Sequence, residues 1–171
     1  MRTFTVEQAQ AFLTTSSAEG LKWQALFTLW LNAGSRPGEV EGLRWVDVDL
    51  DRDMVAIQQS AQRIRHVGQV VGQPNGAGSR RPIALGPALT ALLRKHRAEQ
   101  NAERLRMGPL WTDSGLVFPS ETGSYLEDKR LHAVFHRICE RAGLPKIRPY
   151  DLRHSSASLL LAAGVHPKVV A

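Results

Sequence analysis

The chain has 171 residues, 43% hydrophobic and 22% charged, with a formal net charge of +6; this is ordinary globular composition, enough for one domain with a sizeable core. A single cysteine, Cys139, excludes an internal disulfide framework and a cysteine-rich zinc site. No apolar run reaches the roughly 18 residues of a membrane span and no secretory signal is visible, so a cytoplasmic location is expected.

Thr5 followed by Gln8 reads as a capping box opening a short helix. Leu21 to Ala33 carries Trp23, Leu26, Phe27, Trp30 and Leu31 at three-and-four spacing, which predicts a core-facing helix. Gly34-Ser35 breaks it, with Ser35 as a candidate N-cap and Pro37 in the first turn of a short helix that runs through Leu43 and buries Val40 and Leu43. Met54 to Ile57, Gln69 to Val71 and Pro82 to Leu85 read as strands. Gly72 to Ser79 is turn chemistry throughout, predicting a mobile hairpin tip between the last two. Pro87 opens a helix towards Arg104 whose polar face carries Arg94, Lys95 and Arg97. Met107 to Gly115 reads as a loop, and Leu116 to Phe118 as a short extended piece. Glu127 to Ala142 is amphipathic and ends at Gly143. Arg148-Pro149 forces extension before a last clear helix from near Asp151 to Ala163, ended by Gly164; Val165 to Ala171 begins another element. No internal repeat or low-complexity linker appears. The charge is uneven, with 5 basic against 8 acidic residues over 1–61 and 17 against 8 over 62–171. A basic segment of this kind favours a polyanion, most commonly nucleic acid.

Two arginines stand at the starts of two predicted helices. Arg36 precedes Pro37, and Glu39 is in reach to hold its guanidinium by a bidentate pair; an ordinary surface ion pair is the other reading. Arg153 lies in the first turn of its helix, where a cation opposes the helix dipole and invites an anion, unless Asp151 or another acid neutralises it. Asp151 also suits an N-cap. Guanidinium forks with backbone N–H groups at a helix start make a phosphate-oxygen clamp. Tyr150 and His154 flank Arg153 as further donors, although His154 is expected to point to another face and cap or pack. His132 and His136 share a helix face without a third ligand, so zinc is not expected. Cys139 reads as a core residue.

The segment Gly34-Ser35-Arg36-Pro37-Gly38-Glu39-Val40-Glu41-Gly42-Leu43-Arg44-Trp45-Val46-Asp47-Val48-Asp49-Leu50 resembles the first arginine box of the tyrosine recombinases, the phage-integrase family. Ser79-Arg80-Arg81-Pro82-Ile83-Ala84-Leu85 resembles the strand after that family's catalytic hairpin. Asp151-Leu152-Arg153-His154, with Ala157 to Val165, resembles the second arginine box. The similarity covers essentially the whole chain, with the boxes in order.

The resemblance implies an α+β fold, a mainly helical catalytic domain with a small three-stranded antiparallel sheet at its edge. It implies metal-free, cofactor-free phosphoryl transfer on double-stranded DNA, in which a tyrosine forms a 3′-phosphotyrosine. Arg36 and Arg153 then correspond to the arginines on the scissile phosphate and Glu39 to an acid supporting the first. Arg80 and Arg81 become DNA-contacting candidates. The family's hairpin lysine falls near Asn75, and its histidine three places before the second arginine is Tyr150. Asparagine is no general acid, and a phenol with a reference pKa near 10 shuttles protons poorly at neutral pH. Neither Tyr125 nor Tyr150 matches the nucleophile, which the family carries on a later helix. The expectation is therefore a single, incomplete catalytic domain over 1–171. It lacks the C-terminal helices and the N-terminal core-binding domain, is inactive and monomeric, and comes from a parent that acts as a DNA-bound, nucleoid-associated tetramer. The alternative is a degenerate relative that binds DNA phosphate without catalysis.

Overall fold

Thr5 caps the first helix as its spacing requires. Its hydroxyl accepts from the Gln8 N–H at 3.2 Å, and its own N–H donates to Gln8 Oε1 at 2.9 Å. The computed structural model describes residues 2–74 and 81–162. The chain falls into two compact units, one formed by 1–37 with 132–171 and the other by 38–131.

The first unit is helical. It holds α1 (Val6–Ser16), α2 (Leu21–Ala33), the C-terminal part of α5 (Asp128–Arg141) and α6 (Asp151–Ala162). Its core is aromatic. The Phe12 ring meets Phe27 edge-on at 5.1 Å and Phe135 at 5.2 Å, and Phe4 closes on Phe12 at 5.6 Å. Cys139 is buried there, which pushes its thiol up to about 11. The Glu19 carboxylate takes Arg137 Nε at 2.9 Å and Arg141 Nη1 at 3.0 Å, tying α5 to the turn after α1. Gly34, at φ 58°, ends α2 with its N–H on the Trp30 carbonyl at 3.0 Å. The helices predicted over Leu21–Ala33 and from Asp151 are where the sequence puts them.

The second unit is mixed. The chain enters it within α3 (Pro37–Glu41), passes two short strands β1 (Val48–Asp49) and β2 (Met54–Ala56), then β3 (Ser60–Ile64), β4 (Gly68–Gly72) and β5 (Pro82–Ala84), and continues into α4 (Pro87–Met107). Three strands form an antiparallel sheet in the order β1-β2-β5, with Val55 opposite both Val48 and Ile83. Two corrections follow. Gln69 to Val71 does not join Pro82 to Leu85; it pairs with β3 in a separate ribbon, Gln62 opposite Val70. That hairpin turns at His66, which adopts φ 65° without being glycine and so left no turn signal. Nor does Ser35 cap α3, because its buried hydroxyl has no hydrogen-bond partner among the described residues.

Glycine permits a close approach between α3 and β3. A β-carbon on Gly38 would lie 2.3 Å from the Ala61 carbonyl oxygen, so α3 and β3 touch backbone to backbone. On the buried face of α4, His96 stacks on Phe118 at 5.4 Å and meets the tilted Trp45 ring at 5.8 Å. Its Nε2 lies 2.5 Å from the Val117 carbonyl, which can only accept, so Nε2 carries the proton.

Candidate phosphate-binding site

Arg36 follows a two-residue bend whose carbonyls are both held. The Gly34 carbonyl accepts from Arg153 Nη1 at 2.9 Å, and the Ser35 carbonyl accepts from Trp30 Nε1 at 2.9 Å. Arg153 therefore reaches back from the first turn of α6 to the segment that presents Arg36. The two arginines, 117 positions apart in the numbering, belong to one unit and are linked through the Gly34–Ser35 backbone. Both side chains are half-buried.

The acid named as the alternative partner of Arg153 is engaged elsewhere. Asp151 Oδ2 accepts from the Arg148 N–H at 3.0 Å, and Arg148 Nη2 donates to Asp151 Oδ1 at 3.1 Å. These bonds hold the Asp151 carboxyl below the usual carboxylate range. Among the described residues Arg153 forms no ion pair, and its Nη1 goes to a carbonyl. The remaining guanidinium donors are suited to an anion.

The entry to α6 alters one expectation. The N–H groups of Asp151, Leu152 and Arg153 donate to the carbonyls of Arg148, Pro149 and Tyr150 at 2.9, 3.0 and 3.2 Å. These amides are satisfied within the turn, so an anion beside α6 is met by side chains and not by those three backbone donors. Tyr150 is 42% exposed, and its ring meets His154 edge-on at 5.6 Å. His154 packs as expected, but against Tyr150, which places phenol and imidazole side by side next to Arg153. Ser155 anchors the same turn: its hydroxyl accepts from the Phe4 N–H and donates to the Asp151 carbonyl, both at 3.0 Å.

In the other unit Glu39 is fully buried, and Arg81 Nη2 lies 3.8 Å from its Oε2. A buried carboxylate needs such a partner. Arg81, expected to face DNA, thus has an ion-pairing role, and its carbonyl accepts from the Ile57 N–H at 3.2 Å beside β5. Two residues on, buried Glu41 has its carboxyl pushed up to about 7, first by burial and then by Asp128. Asn75 and Arg80 lie outside the described residues, as do Gly164 and the element expected over Val165 to Ala171. His132 and His136 meet ring to ring at 6.2 Å. Among the described residues no cluster of three His, Cys, Asp or Glu side chains is placed to hold a metal ion, and no helix is long and apolar enough to cross a membrane.

Sequence reasoning missed the Trp30 and Ser156 contributions to this site. Trp30 gave only a core signal, and its indole N–H partner is invisible in periodicity. Ser156 sits buried against Gly34 and left no signal at all.

Comparison with known proteins adds a pattern for the whole chain. A model of the phage integrase family matches residues 2–171. An integrase of Streptomyces ambofaciens is 30% identical over 176 aligned positions, covering 96% of this chain and 43% of that protein. A tyrosine recombinase XerC-like protein of Caldanaerobacter subterraneus subsp. tengcongensis is 28% identical, covering 89% and 42%. The chain therefore spans less than half the length of these relatives. Among solved structures, the Tn1549 transposon integrase in complex with transposon right end DNA superposes with a TM-score of 0.81 at 18% identity, over 99% of this chain and 56% of that one. The XerA recombinase superposes at 0.76 and 19% identity, over 99% and 54%. At this identity the likeness establishes the mainly helical fold with small antiparallel sheets.

Proposed function

The chain belongs to the phage integrase family, and from that membership we propose that it supplies the phosphate-binding part of a site-specific DNA recombinase. Arg36 and Arg153 grip the non-bridging oxygens of one DNA phosphodiester. The observation that carries this reading is the Arg153–Gly34 hydrogen bond, which fastens the head of α6 to the segment presenting Arg36. Two always-charged forks held in register stabilise a phosphorane electrostatically without reorganising, the largest expected contribution to phosphoryl transfer.

In the proposed reaction a tyrosine attacks the phosphate, a 3′-phosphotyrosine forms as the 5′ oxygen leaves, and a 5′-hydroxyl on another strand reverses the step. Tyr150, partly exposed and beside Arg153, donates a hydrogen bond to a phosphate oxygen in place of the family's histidine. Glu39 and Arg81 support the first arginine box from within their own unit. The partner is double-stranded DNA, in keeping with the Tn1549 transposon integrase, whose structure is a complex with transposon right end DNA.

A second reading is favoured by one residue. With a phenol at position 150, the family's proton-shuttling imidazole is replaced by a poor acid. The protein would then bind DNA phosphate without cleaving it.

Covalent trapping separates the two. The complete gene product is incubated with a nicked duplex and resolved on a denaturing gel. A protein–DNA adduct supports recombination; salt-sensitive binding with no adduct supports the binding-only relative.

A further inference from the structure

Arg153 and Ser156 stand one turn apart on α6 and meet the same glycine. Arg153 holds the Gly34 carbonyl at 2.9 Å. Ser156 is packed so closely that a β-carbon on Gly34 would lie 3.0 Å from its Oγ and 3.6 Å from its Cβ. Gly34 itself adopts φ 58°, which L side chains rarely take. Ser156 is 1% exposed, and its hydroxyl has no hydrogen-bond partner among the described residues. Shape, not a hydrogen bond, therefore fixes this contact. Two residues later comes Arg36, with the intervening Ser35 carbonyl pinned by Trp30.

We infer that Ser156 is a positioning residue for the phosphate clamp: with Arg153 it seats Gly34, so that Arg36 and Arg153 engage one phosphate as a coupled pair. The inference rests on the phosphate-binding reading above. It makes a specific claim about energetics. Disturbing the seat removes what Arg36 contributes, and removing Arg36 leaves the seat nothing further to contribute. Independent surface cations would instead give additive losses.

The test is equilibrium binding of the 171-residue chain to a short fluorescent DNA duplex at several salt concentrations, with circular dichroism melts as the folding control. Gly34→Ala is expected to weaken binding roughly as much as Arg36→Ala, each lowering the salt slope by about one phosphate's worth. Gly34→Ala with Arg36→Ala together bind no more weakly than Arg36→Ala alone. Adding Ser156→Ala to Gly34→Ala recovers the part of the loss that comes from the 3.0 Å contact, leaving the ordinary 3.6 Å one and the part set by the φ of residue 34. If Gly34→Ala does not fold, Ser156→Thr crowds the same seat without straining residue 34 and takes its place in the cycle with Arg36→Ala. Losses that multiply, or no recovery on adding Ser156→Ala, overturn the inference while leaving phosphate binding intact. A wild-type chain without salt-dependent binding overturns the phosphate reading and this inference with it.

Discussion

Arg153 donates from Nη1 to the carbonyl of Gly34 at 2.9 Å across 119 positions of sequence. One end of the guanidinium is thereby committed to the protein, and the other donors are left for a ligand. A fixed fork can serve both at once; an ammonium is a compact point charge that cannot span them in the same way. Arg153→Lys is therefore expected to keep the fold but lose about tenfold in DNA affinity, the scale of one charge-assisted bond. Binding titrations beside thermal melts check this. Full affinity in the lysine variant would show that the fork geometry is irrelevant.

Glu41 gives a pH signature. Its folded carboxyl is raised to about 7 by burial and by Asp128, above its unfolded value of 4.5. A raised carboxyl stabilises the fold below the unfolded value, and that stability drains away as pH rises towards the folded one. Chemical denaturation is expected to show a loss of roughly 3 kcal/mol as pH rises from below 4.5 to above 7. Glu41→Gln flattens this dependence. An unchanged pH profile in the glutamine variant would remove Glu41 as its source.

Asp151 behaves in the opposite sense. Its folded carboxyl is depressed by the Arg148 hydrogen bonds, so its contribution is present above the unfolded carboxylate range and lost as pH falls through the folded value. Because the Arg148 side chain is 75% exposed, the pair is screened. Asp151→Asn is expected to cost about 1 kcal/mol at neutral pH, mostly through the bond to the Arg148 N–H. Urea melts at neutral and at strongly acid pH should show the gap between variant and wild type closing on acidification.

Gly38 tests the packing of α3 on β3. Its hypothetical β-carbon meets backbone, at 2.3 Å from the Ala61 oxygen, and backbone cannot swing aside as a flexible side chain can. Gly38→Ala is expected to destabilise by roughly 2 kcal/mol or more, as overpacking does. A melt identical to wild type would show that the two elements separate freely.

Much of this architecture was legible because its signals are local. Helix α2 declares itself through apolar spacing, α1 through Thr5 and Gln8, and α6 through the proline before it and its apolar run. The ribbon of β3 and β4 was not legible. Its residues are largely exposed on both faces, so no alternation marks β3, and its turn relies on His66 in a glycine-like conformation. At the site, residue types gave Arg36 and Arg153, but pairings across long sequence separations were closed to inspection. The sequence could not show that Asp151 serves Arg148, that Arg81 answers buried Glu39, or that the amides opening α6 are already satisfied.

The measurement that bears most directly on the central claim is the salt dependence of duplex DNA binding by the wild-type chain, Arg36→Ala and Arg153→Ala. Wild type is expected to bind with a linear fall of log affinity against log salt, and each alanine variant to lower that slope by about one phosphate contact. Slopes and affinities unchanged in both variants would contradict the phosphate clamp.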